Sequence, residues 1–144
     1  MQINKKTSGF TLIEVLITII VLAIGLLGMA ALQSTGLRNN NSAYMRSQAT
    51  VLAYDMADRI RANPKATYTG AGAQDNNCKT LTGCTSAQMA KNDIYEWNQQ
   101  IAKILPLGVG AVTVSVNNVF TIDIQWHDSP NGGATKSFKM SFLQ

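Results

Sequence analysis

Glu14 is the first residue in the chain from which chemistry can be read. It lies in a largely apolar run from Phe10 to near Leu32, long enough to span a bilayer. A charged side chain at that depth costs roughly 2.5–3.5 kcal/mol on insertion scales, so it calls for a partner. A cut after Gly9 would create one. The new α-amine of Phe10 would begin the helix, with Glu14 one helical turn along. There the carboxylate can pair with the amine of its own chain or of a neighbour, and the helix macrodipole favours its charge. Gly9, Phe10 and Glu14 therefore have the chemistry of a peptidase substrate and of an amine–carboxylate pair. Two plainer readings compete. An ordinary signal peptide also joins a basic leader, here Lys5 and Lys6, to an apolar stretch, and Gly28, Met29 and Ala30 pass for a small-x-small cleavage site. It fits neither the length of the run nor Glu14. A single-span anchor needs only about 20 apolar residues. It gives no reason for the glutamate, or for a glycine directly before Phe10.

The remaining candidates are weaker. Cys78 and Cys84 are the only cysteines, and a chain exported to an oxidising compartment joins such a pair. The alternative, a metal pair, has a spacing that matches no common zinc motif, and the one histidine is remote in sequence. His127 and Asp128 are adjacent, with Ser129 and Ser137 nearby, but no G-x-S-x-G elbow accompanies them and catalysis is not expected. No phosphate-cradling glycine loop or calcium-spaced carboxylate cluster is present in the sequence, and no cofactor is expected. Lys136 and Lys139, with Lys103, can line a weak DNA-contacting patch or simply keep an edge strand solvated. Asp55, Asp58, Arg59 and Arg61 read as intrahelical pairs, with a neighbouring subunit as the alternative partner.

The elements that position these residues follow from periodicity. Phe10 to about Asn63 reads as one long helix, apolar all round in its first half, where Gly25 and Gly28 are soft or close-packing points. After Leu37 it becomes amphipathic, with Met45, Ala49, Leu52, Met56 and Ile60 as the apolar stripe. Such a helix would run roughly 80 Å, so its first half must be buried in lipid or among neighbouring helices. Pro64 supplies the stop. Lys65 to Thr85 reads as a loop. Ser86 is the expected N-cap of a second helix to about Leu105, with Ala90, Ile94, Trp97, Ile101 and Leu105 on one face. Period-two runs follow: Val112, Val114 and Val116, then Phe120, Ile122, Ile124 and Trp126, then Phe138, Met140 and Phe142. Asn117 and Asn118 make the first turn and Asp128 to Gly133 the second connection, giving a three-stranded antiparallel meander.

At 144 residues with a net charge of +4 the chain supports one small domain. Lys5 and Lys6 carry two of those charges and would be lost on cleavage, so no nucleic-acid signature remains. By the positive-inside rule they mark the cytoplasmic side.

The leader with Gly9, Phe10, Thr11, Leu12, Ile13, Glu14 and the apolar run resembles the class III signal and N-terminal helix of type IV pilins and type II secretion pseudopilins. Further along, Gly25 to Gly28, the run from Asn40 to Pro64, the cysteine pair ahead of a helix with Trp97 and L-P-L-G, and a strand ending at Trp126 resemble the type IV pilus modification protein PilV subfamily of minor pilins. One departure from major pilins is that no proline interrupts Phe10 to Asn63, where fibre subunits commonly carry one. The resemblance implies an α+β pilin-like fold, the long N-terminal helix packed against a small antiparallel sheet. It implies a leader at 1–9 removed by prepilin peptidase, N-methylation of Phe10, a membrane and filament-core segment at 10–37, and a periplasmic head at 38–144. The implied protein is a structural minor pilin, first in the bacterial inner membrane and then in the pilus, at its tip. Its partners would be other minor pilins, the major pilin and a tip adhesin, in adhesion and twitching motility; nucleic acid is not expected. A type II secretion minor pseudopilin, a DNA-uptake pilin and a membrane-tethered enzyme are the alternatives.

Overall fold

The computed structural model describes residues 9–81 and 83–143; Lys5, Lys6 and the rest of the leader before Gly9 lie outside them. The elements are helix α1 (Leu12–Ala62), a 3-10 turn (Asn76–Lys79), helix α2 (Ser86–Ile104), and strands β1 (Val109–Val114), β2 (Val119–Ser129) and β3 (Gly132–Leu143). By contacts the chain divides into two units between Asn41 and Ser42.

In the first unit every described residue is exposed. An apolar surface on all sides of a helix belongs to a membrane or a bundle of helices, not to water. α1 is long and apolar enough to cross a membrane. It begins at Leu12, two residues later than Phe10, because Thr11 closes its first turn: the Glu14 amide lies 3.1 Å from the Thr11 carbonyl and 3.4 Å from its hydroxyl.

The head, from Ser42 onward, is an α+β unit. Strands run antiparallel in the order β1-β2-β3, with Val112 opposite Ile122 and Ile124 opposite Phe138. A single buried cluster draws Met45, Ala49, Leu52, Met56 and Ile60 from α1, Ala90, Ile94, Trp97 and Ile101 from α2, and Val112, Phe120, Ile122, Ile124 and Trp126 from the sheet. Phe138, Met140 and Phe142 pack at its margin and stay partly open. Polar ties fix the helices within this core. The Trp97 indole N–H donates to the Leu52 carbonyl at 2.8 Å. Arg61 stands 4.9 Å over the Phe142 ring, a cation–π contact worth about 0.5–1 kcal/mol when exposed.

The structure corrects three details. The N-cap of α2 is Thr85, not Ser86: Gln88 sits three residues on and returns a bond to the Thr85 amide, completing a capping box. Val114 and Val116 do not join the buried face, since β1 ends at Val114 and Val116 rides on the turn that follows, fully exposed. In that turn Asn118 takes the left-handed conformation, φ 56°, which asparagine tolerates better than most residues. Finally, β2 and β3 extend to Ser129 and Gly132, leaving only Pro130 and Asn131 between them.

The loop before α2 closes through a Cys78–Cys84 disulfide. It lies against α2 through Ala73 N–H to the Lys91 carbonyl at 3.0 Å, Asp75 N–H to Asn92 Oδ1 at 3.0 Å, and a Lys79–Glu96 ion pair at 2.8 Å. Gly72 permits this approach, because a Cβ there would collide with the backbone of Tyr95. Replacing both cysteines by serine is expected to lower head stability by no more than about 2–3 kcal/mol, since a short closed loop removes little chain entropy. Chemical denaturation of the two forms checks this, and a loss well beyond that range would show that the loop organises the core.

Candidate functional site

Gly9 lies outside any element and is exposed, and nothing stands within 4 Å of where its Cβ would be. No packing within the described chain calls for glycine at this position. Any requirement for glycine here would come from a molecule that handles the chain at this point. Phe10 is 83% exposed. It lines one cleft with Glu14, Val15 and Thr18, so the residue that cleavage would make N-terminal and the carboxylate expected to receive its amine share a surface. Glu14 is the acidic residue of the first turn of α1, where backbone N–H groups have no partners within the helix and negative charge is favoured. The pattern Thr11-x-x-Glu14 is a capping signal legible in the sequence.

The charged residues of the head do more than pair along one helix. Arg61 does bond to Asp58, at 3.0 Å. Arg59 bonds to Asp55 at 3.0 Å but also reaches across to α2, to Asp93 at 3.1 Å and Glu96 at 3.7 Å. Tyr68, wholly buried, donates to Asp93 Oδ2 at 2.7 Å and lies 3.2 Å from the Arg59 carbonyl, while Asn63 Nδ2 donates to its hydroxyl at 3.3 Å. Burial would lower the Arg59 pKa, but Asp55 and Asp93 together raise it above its usual value. A hydrogen bond from Lys79 holds the Glu96 carboxyl below the usual carboxylate range. Burial, and then the bond to Asp93, push the Tyr68 hydroxyl above its ordinary value of 10.0. A raised folded-state pKa contributes stability that is complete below the unfolded value and is lost as pH rises beyond it. The head should therefore weaken as pH climbs past about 10, and Tyr68→Phe should flatten that slope while lowering stability at neutral pH. Equal alkaline slopes for the two proteins in urea titrations would show that Tyr68 does not carry the effect.

No triad forms around His127. Its Nε2 meets Thr135 Oγ1 at 3.4 Å, and Asp128 turns to Lys136 at 3.5 Å. Lys139 pairs with Asp123 at 3.1 Å, so two of the three lysines considered for a DNA patch are engaged by carboxylates. Among the described residues no group of three or more His, Cys, Asp or Glu could hold a metal.

The geometry thus concentrates on a glycine–phenylalanine junction ahead of a capped apolar helix with an acidic first turn. Two family models match this chain over adjoining stretches: the prokaryotic N-terminal methylation motif over residues 4–30, and type IV pilin Tt1218 over residues 31–95. The chain is a type IV pilin. No significant match is found among curated proteins or among solved structures. The methylation motif covers Gly9, Phe10 and Glu14 of the pilin, and the second match runs from the apolar half of α1 through the disulfide loop into α2. Such a motif implies processing by a prepilin peptidase, anchoring in the inner membrane, and assembly with other pilins into a pilus.

Proposed function

We propose that this pilin is a minor subunit of a type IV pilus, of the modification protein PilV kind, that primes assembly and helps display an adhesin at the tip. Prepilin peptidase removes residues 1–9, the amine of Phe10 is methylated, and Glu14 neutralises that amine within the filament core. Residues 10–37 serve first as membrane anchor and then as core, and 38–144 form the periplasmic head. The observation that carries the reading is α1 itself: it is unbroken from Leu12 to Ala62, without the proline common in abundant fibre subunits. In sheared pili the protein should be scarce beside the main subunit and should co-purify with other minor pilins. Finding it as the dominant component would overturn the minor role.

Glu14→Gln tests the part played by the carboxylate. It keeps the size of the side chain and removes the charge, so membrane insertion should be equal or easier. Incorporation beneath other subunits should fall, because the amine is then buried without its counter-charge. The readout is the ratio of protein in sheared pili to protein in the inner membrane. An unchanged ratio would remove Glu14 from the determinants of assembly.

A further inference from the structure

A small cleft of about 140 Å³ opens in the head where Ser42 and Arg46 of α1 come beside Trp126 of β2 and Lys136 and Ser137 of β3. The packing of the head leaves three features of this place unexplained. The Trp126 side chain is nearly fully buried and its indole N–H has no acceptor among the described residues. A buried donor without a partner is uncommon in a folded protein, and the other tryptophan, Trp97, has its acceptor at 2.8 Å. The Arg46 guanidinium has no acidic partner among the described residues. By contrast, Arg59, Arg61, Lys79 and Lys139 each stand within 3.1 Å of a carboxylate. Lys136 reaches Asp128 only at 3.5 Å, longer than the roughly 2.7–2.9 Å of a tight charge-assisted bond.

We infer that this cleft is a binding site for a single carboxylate. Arg46 and Lys136 bring two positive charges and Asp128 one negative, which leaves one positive charge to be matched. A monoanion balances it, whereas a dianionic phosphate would leave an excess of negative charge in a confined space. A carboxylate has two oxygens in a plane, the geometry that an arginine fork accepts. Its remaining lone pairs suit the hydroxyls of Ser42 and Ser137, and a group seated there lies beside the Trp126 side chain. The volume suits a carboxylate on a short aliphatic stem. The chemistry is the same whether the carboxylate is borne by an acidic side chain of a neighbouring subunit or by a free small acid.

The two tryptophans make the test direct. In full-length, nitrogen-15-labelled protein held in detergent micelles, the two indole N–H resonances are followed while acetate is added, with chloride at equal ionic strength and inorganic phosphate as comparisons. The Trp126 resonance should move to saturation with acetate and Trp97 should stay, which also reports that the fold is intact. Arg46→Gln should weaken the apparent affinity about tenfold or more, as loss of a charge-assisted bond does. Absence of a saturable shift, or an equal one in Arg46→Gln, overturns the site. Saturation by phosphate and not by acetate overturns the carboxylate. A second arm, which rests on the pilus reading, separates the sources. Arg46→Glu should lower incorporation into sheared pili if a neighbour supplies the carboxylate; unaltered incorporation with the acetate response intact in the wild type assigns the site to a free acid.

Discussion

Gly9→Val is expected to leave the full-length chain in the inner membrane, with essentially no shortened form. The substitution creates no clash within the described chain, since the space around that position is empty, so stability and insertion should be unaltered. Any effect belongs to recognition. A β-branched side chain stiffens the backbone and crowds the subsite in front of the scissile bond. Mass spectrometry of the membrane fraction decides the matter: a normally trimmed, methylated Phe10 in the valine variant would refute the cleavage assignment. Gly9→Val differs in this respect from any change at Gly110, where a Cβ would collide with the Trp97 ring and the core itself would have to move.

The second large effect is expected at Asp93. Asp93 is 8% exposed, and its carboxylate holds both the Arg59 guanidinium and the Tyr68 hydroxyl. Asp93→Ala would take the main acceptor from a buried phenol and one of three carboxylates from a half-buried cation. We expect a loss of about 2–4 kcal/mol, below the full cost of a stranded buried charge because Asp55 remains in place. Domains of this size are stable by roughly 5–15 kcal/mol, so the variant should unfold at clearly lower denaturant. Asp93→Asn should recover part of the loss by keeping an acceptor for Tyr68. A change below about 1 kcal/mol in the alanine variant would show that the network is ornamental to stability.

Much of the fold was legible because it rests on periodicity. The stripe from Met45 to Ile60, the face from Ala90 to Leu105 and the alternation from Phe120 to Trp126 each repeat at the period of their element, and burial follows them. Boundaries were less legible, because neighbouring residues of similar type compete for them. Thr85 and Ser86 are both good caps, and Gln88 at the correct offset selects the first. The Asp93 network had no local signal at all. Its members are 25 and 34 residues apart and meet only once the helices pack, so Arg59 read as an intrahelical partner. The same holds for Arg46, Trp126 and Lys136, whose meeting depends on where the end of one hairpin falls beside a helix. The proposed processing site is the opposite case. Gly9, Phe10 and Glu14 lie within six consecutive residues, so the pattern on which that proposal rests is present in the sequence before any folding.

The disulfide loop carries a different consequence. Tyr68 is its last buried residue; from Thr69 to Thr85 no described residue is buried, and the anchors to α2 run largely through main-chain groups and one lysine. Apart from Gly72, the cysteine pair, Lys79 and the Thr85 cap, the side chains along that stretch are therefore only weakly coupled to the stability of the head. Substitutions at the remaining exposed positions should cost little while the core beneath is held constant, so the chemical identity of that surface can change without a change of architecture.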